Sequence, residues 1–264
     1  MESYIDINRQ LWNERVTPHT ESEFYDVPGF KSGKTSLMPI ELKQLGAVKG
    51  KKLLHLQCHF GMDTLSLSRM GAQTTGVDFS EKAIEMARNL NETLQLDARF
   101  ICCNVYDLPQ HLDEQFDLVF CSYGVVGWLE DLTAWGKIVS RYLKPGGVFH
   151  LIEFHPVIWM FDDDFQKPSF SYFNVEPIVE ETSGTYADRE APLKAKSVGF
   201  NHSLAEVMNA LMANGLQVLS FDEYDYSPYD CLNHMVKIAE TKYQIKGLEG
   251  KLPMVYSLSV GKPL

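Results

Sequence analysis

The chain has 264 residues, 45% of them hydrophobic and 22% charged, which suits one large α/β domain with insertions and ample apolar material for a core. Its formal net charge is -11, and its densest cationic group is only Lys49, Lys51 and Lys52; no nucleic-acid partner is expected, because polyanion binding rests on clustered cations. No apolar stretch reaches membrane-spanning length and the opening residues lack the regions of a secretion signal, so a cytoplasmic protein with no membrane partner is expected.

Residues 1–48 read as a polar, helical N-terminal leader or lid with scattered aromatics. Leu11, Trp12, Arg15 and Val16 suit one short helix, Pro28-Gly29 marks a turn, and Leu37 to Leu45 reads as a helix with Pro39 in its first turn. The periodic core then starts, and residues 49–264 read as one domain with a cap insertion at about 156–200. Strand one is Leu53 to Gln57. A helix from Met62 to Met70 closes at Gly71, and strand two runs from Gln73 to Asp78. A helix capped by Ser80 carries Ile84, Ala87 and Leu94 on one face. Strand three is Ala98 to Cys103 and strand four Asp117 to Cys121. A helix bearing Leu132, Trp135, Ile138, Val139 and Leu143 follows, and Lys144-Pro-Gly-Gly147 turns the chain into strand five, Val148 to Phe154.

Short apolar strands separated by helical patterns point to a parallel sheet covered on both faces. The ending differs. After a helix over Ser203 to Asn214, the strands Leu216 to Tyr224 and Met254 to Val260 have no clear helix between them, which suggests antiparallel pairing at one sheet edge. Residues 156–200 keep neither period for long. They hold eight aromatic residues, the run Asp162-Asp-Asp164 and the pair Glu180-Glu181. An insertion after strand five sits where ligands bind in such sheets, so it reads as a substrate cap, and its rings and carboxylates suit an acceptor with a cation or amine.

The five cysteines, Cys58, Cys102, Cys103, Cys121 and Cys231, show no C-x-x-C spacing, which reads as free thiols in a reducing compartment. Neighbouring Cys102 and Cys103 point to opposite sheet faces. His55 and His59 sit on a strand and turn, so no metal site is expected. Gly29-Phe-Lys-Ser-Gly33-Lys-Thr35 is one residue short of a phosphate loop and follows no apolar strand.

The most informative stretch is Leu53-Leu-His-Leu-Gln-Cys-His-Phe-Gly61 followed by the acidic strand end Asp78. Strand, tight turn, helix and carboxylate-ended strand are the order of parts by which a βαβ unit holds an adenine-bearing cofactor. With Asn104-Val-Tyr-Asp107-Leu-Pro109, Phe116-Asp-Leu-Val119 and Leu143-Lys-Pro-Gly-Gly147, this set resembles the class I S-adenosylmethionine-dependent methyltransferases, within a bacterial subgroup carrying H-L-Q-C-H-F-G at the turn. The resemblance implies a Rossmann-like α/β fold, doubly wound, with a mostly parallel seven-stranded sheet and an antiparallel terminal strand. It implies S-adenosyl-L-methionine as cofactor and a small-molecule methyl acceptor. By the same resemblance, Gln57, Cys58, His59 and Gly61 lie beside the methionine and ribose, Asp78 holds the ribose hydroxyls, Phe79 edges the adenine, Asn104 and Val105 bind its amino end, and Cys121 and Ser122 face the methyl. The family's usual turn is D-x-G-x-G-x-G, and here His55, Gln57 and His59 replace three of its four residues. Those side chains either reshape the turn or become ligands.

Methyl transfer from a sulfonium is an in-line displacement, so positioning carries much of the catalysis. Where the acceptor must lose a proton, a base is needed. His155, for its near-neutral pKa, and Tyr123 are the first candidates; Glu153, His202 and Trp12 are others. Two other readings compete. One is a nicotinamide-dependent oxidoreductase, which normally needs G-x-G-x-x-G; the other is a non-catalytic S-adenosylmethionine sensor.

Overall fold

The computed structural model describes residues 3–173 and 176–264. Its N-terminal segment is helical, and the first helix is longer than expected. Helix α1 spans Tyr4–Glu21, well beyond the short helix read around Leu11 to Val16. The Ser3 hydroxyl caps it by accepting from the Asp6 N–H. Pro18 lies in its last turn, where a missing N–H removes one ladder bond and leaves the rest intact. Pro28-Gly29 is the start of α2, Val27–Lys31, not a turn: Asp26 caps it at Gly29 N, and proline is favourable where no N–H is needed. Helix α3, Pro39–Leu45, follows.

The alternating core comes next: β1 (Lys52–Leu56), α4 (Met62–Arg69), β2 (Gln73–Asp78), α5 (Glu81–Thr93), β3 (Arg99–Cys102), β4 (Phe116–Ser122), α6 (Leu132–Tyr142) and β5 (Leu143–Phe154). Lys144 to Gly147 belongs to β5, where the pairing with β4 shifts register, so the expected turn is a bulge. The cap contains a hairpin that the sequence pattern did not show, β6 (Ile178–Ser183) with β7 (Lys194–Gly199). Then come α7 (Leu204–Ala213), β8 (Gln217–Tyr224), the hairpin β9 (Met235–Ala239) and β10 (Lys242–Ile245), and β11 (Val255–Gly261).

The main sheet has seven strands in the order β3-β2-β1-β4-β5-β11-β8. The first five are parallel, and β11 runs antiparallel between β5 and β8. Strand parity divides the core. Leu54, Leu56, Val119, Cys121, Phe149 and Leu151 face α6 and α7; Leu53, Leu118, Phe120 and Ile152 face the other way, toward Ile40 and Leu45 of α3. The leader is thus built into the core. The strand order reverses between β1 and β4, and ligands bind outside the carboxyl ends of strands at such a point.

Candidate active site

A cavity of about 770 Å³ opens at that reversal, within the usual range for small-molecule sites. Its floor is the turn after β1. Three of the turn's residues are left-handed: Gln57 at φ 55°, His59 at φ 52° and Gly61 at φ 79°. The turn therefore keeps the backbone form that glycines normally supply, with two ordinary residues accepting the cost of that region. Their side chains are anchors. Gln57 Nε2 donates to the Val125 carbonyl at 3.0 Å, tying the floor to the loop after β4. The His59 ring packs at 5.3 Å from Trp12 and 5.1 Å from His19, tying the floor to α1. Gly61 has no such latitude, since a Cβ there would lie 2.7 Å from the Phe100 ring.

Asp78 ends β2 with 8% exposure and borders the cavity. Oδ2 accepts from His59 N at 2.8 Å and Oδ1 from Ser80 N at 2.9 Å. Each oxygen keeps lone-pair capacity beyond its one backbone donor. Burial raises this carboxyl to about 6, against the lowering effect of those N–H groups. Cys58, Phe79, Val105 and Ser122 also line the space. Asn104 lines it too, but its Oδ1 accepts from Tyr106 N at 3.0 Å and caps a 3-10 turn, so its carbonyl is partly engaged.

Two expected residues are elsewhere. Cys121 is fully buried among Leu56, Val119 and Leu151 on the α6/α7 side; strand parity gives the cavity its neighbour Ser122. His155 pairs its backbone with Met254 and reaches sideways to the edge strand, with Nε2 3.0 Å from Glu223 Oε1. Burial lowers its pKa, and it is not among the cavity residues. Glu153 borders the cavity, yet its carboxylate already accepts from the N–H groups of Gly124, Val125, Val126 and Phe154. It fastens the loop after β4. His202 is also committed, with Nε2 2.6 Å from the Leu129 carbonyl.

Tyr123 remains. It lines the cavity at φ 35°, a left-handed backbone that costs energy for an aromatic residue. Its hydroxyl donates to Glu41 Oε2 at 2.9 Å. Glu41 comes from α3 and is fully buried; burial, then Asp63, raises it to about 7. Asp63 stands on the cavity wall, receiving Ser36 Oγ at 2.6 Å and Ser122 Oγ at 3.2 Å, and burial raises its pKa. The sequence reading missed Glu41 and Asp63. Their only signal was a carboxylate within an otherwise apolar helix face.

The α1 wall presents Asn8, Trp12 and Arg15 to the cavity, and the cap supplies Trp159, Tyr186 and Phe200. Tyr25 and Tyr186 join hydroxyls at 2.5 Å. Among the described residues no cluster of His, Cys, Asp and Glu is arranged to hold a metal, and all five cysteines are free.

Sheet order, left-handed turn and acid-ended second strand together define an α/β protein of the nucleoside-cofactor type. Comparison with known proteins narrows this. A family model described as a methyltransferase domain matches residues 54–151. The chain is 30% identical over 135 residues to a ubiquinone biosynthesis O-methyltransferase of Xanthomonas oryzae pv. oryzae, covering 49% of this chain and 55% of the relative. It is 31% identical over 112 residues to the protein of that name from Coxiella burnetii, covering 41% of this chain and 47% of the relative. The chain thus spans about half the length of these curated relatives. A solved S-adenosylmethionine-dependent methyltransferase from Clostridium acetobutylicum shares the fold at TM-score 0.58 and 15% identity, over 99% of this chain and 100% of that one. The solved DhpI-SAM-HEP complex does so at TM-score 0.59 and 18% identity over 100% of both. Residues 54–151 of this chain are thus similar to a methyltransferase domain, and the chain as a whole shares the fold of solved S-adenosylmethionine-dependent methyltransferases.

Proposed function

We propose that this chain transfers the methyl group of S-adenosylmethionine to a small-molecule acceptor. The observation that carries the reading is Asp78, a carboxylate at the tip of β2 with its oxygens beside the cavity and the left-handed turn next to it. Asp78 would receive the ribose hydroxyls, and Gln57, Cys58, His59 and Gly61 would lie under the methionine and ribose. Phe79, Asn104 and Val105 would surround the adenine, with Ser122 at the methyl end. The bound cofactor supplies an electrophilic methyl on a good leaving group; the protein supplies position and proton acceptance.

The O-methyltransferase names of the curated relatives favour oxygen as the accepting atom. An oxygen acceptor loses a proton, and Tyr123, which lines the cavity with its hydroxyl bonded to Glu41, would take it. The acceptor proton passes to Tyr123 Oη while the tyrosine's own proton passes to Glu41, 2.9 Å away. Glu41 must then be ionised, so methyl transfer should rise with pH through about 7, and Glu41→Gln should flatten that limb. The leader, residues 1–48, and the cap, residues 156–200, would enclose the acceptor. Free cysteines support a cytoplasmic location, and among the described residues no helix is long and apolar enough to cross a membrane.

Calorimetry with S-adenosylmethionine, S-adenosylhomocysteine and NAD tests the cofactor. Binding of the first two alone is expected; binding of NAD alone would overturn the reading. An acceptor screen read by S-adenosylhomocysteine release tests the reaction. Tight cofactor binding without release on any acceptor would mark a sensor instead.

A further inference from the structure

We infer that Arg15 is the anchor for a carboxylate of a molecule bound in the cavity. The guanidinium lies on the inner face of α1, borders the cavity and is 9% exposed. Among the described residues it has no carboxylate partner, and Nε is buried without an acceptor. The rings of Trp12 and Trp128 stand over it at 5.1 Å and 6.0 Å. Ring faces relieve part of a buried cation's desolvation, but a guanidinium has five donors and a shape that matches a carboxylate. Removing such a charge from water costs several kcal/mol unless it is paired. A fold that keeps Arg15 here without a protein anion leaves that place to a ligand.

The surroundings agree. His19 is fully buried with neither ring nitrogen bonded, and His59 Nε2 is also unpartnered. Burial lowers His19 to about 2 and His59 to about 3, so both are neutral and Arg15 is the single cation among them. The paired hydroxyls of Tyr25 and Tyr186 stand next to it. This end of the cavity is built for an anion.

The carboxylate has two sources. It belongs to the methionine part of the cofactor or to the acceptor, and the inference rests on the methyl-transfer reading only for that choice. Two nucleosides separate the sources. S-adenosylhomocysteine carries the amino-acid carboxylate and 5′-methylthioadenosine lacks it. If the cofactor supplies the group, Arg15→Gln weakens S-adenosylhomocysteine about 10- to 100-fold by calorimetry, the worth of one charge-assisted bond, and leaves methylthioadenosine unchanged. If the acceptor supplies it, both nucleosides bind the variant as they bind the parent. Benzoate, glutarate or another simple carboxylate then raises the Tm of the parent loaded with S-adenosylhomocysteine, and not that of the variant.

Arg15→Lys, which keeps the charge without the fork, should fall between the two and covers the case in which the Gln variant does not fold. Unchanged nucleoside binding in these variants, together with no carboxylate effect on the parent, would overturn the inference. Failure of both nucleosides to bind the parent would instead sink the methyl-transfer reading. The carboxylate series on the unloaded chain would still decide Arg15.

Discussion

Asp78 and Glu41 are both buried acids with raised pKa values, and their titrations are read by different measurements. In the proposed role Asp78 accepts two ribose hydroxyls as a carboxylate, so S-adenosylhomocysteine affinity should fall as pH drops through about 6. Asp78→Asn should lose about 10- to 100-fold at pH 8, a gap that calorimetry at pH 5 would find narrowed. Glu41 acts on stability. Its folded pKa of about 7 exceeds the ordinary 4.5, so between those values the folded state holds a proton the unfolded state has lost. Stability therefore declines as pH rises across that window, by roughly 3 kcal/mol at most. Denaturant melts of Glu41→Gln should show a shallower decline than the parent. The place of Asp78 at the cavity was legible in the sequence because it ends the apolar second strand next to the turn. The sequence reading misplaced Cys121 and His155 for a geometric reason: proximity to a strand end does not say which face a side chain takes. Cys121 shares parity with Val119 and faces the helices, and the ring of His155 turns to Glu223.

Among the elements, the parallel strands could be read from sequence because their apolar runs are short, buried on both faces and closed by turn residues. Helix α1 could not. Its inner face carries Asn8, Arg15 and His19, polar residues that blur the apolar stripe, and Pro18 suggests an end where there is none. In the β6/β7 hairpin β6 is mostly exposed and the buried residues of β7 are the adjacent pair Ser197 and Val198, so no alternation marks it. These two hidden elements meet. Asn8 Nδ2 donates to the Val198 carbonyl at 2.8 Å, and its Oδ1 accepts from Val198 N at 2.9 Å. Asn8→Ala would leave both backbone groups buried without partners, a loss of about 2–4 kcal/mol, visible as a lower Tm and as faster hydrogen exchange in α1 before the sheet opens.

At the scale of the molecule, leader and sheet share one core. Val16, Val27 and Phe30 pack with Leu65, Ile84 and Phe100, and Leu37, Ile40 and Leu45 pack with Leu53 and Phe120. A chain restricted to residues 49–264 should therefore lose cooperative unfolding and nucleoside binding together, measured by calorimetric melting and by titration with S-adenosylhomocysteine. A leader that folded as an independent lid would leave the melt intact. The clasp between Asn8 and Val198 joins residues 190 positions apart, which matters during synthesis. A nascent chain that has emerged as far as β5 already owns the cofactor turn and Asp78, while α1 still lacks the strand it grips. Translation of the hairpin, late in the chain, supplies the strand that the first helix grips, and residues as late as Tyr256 of β11 must follow before the ligand chamber has all its walls.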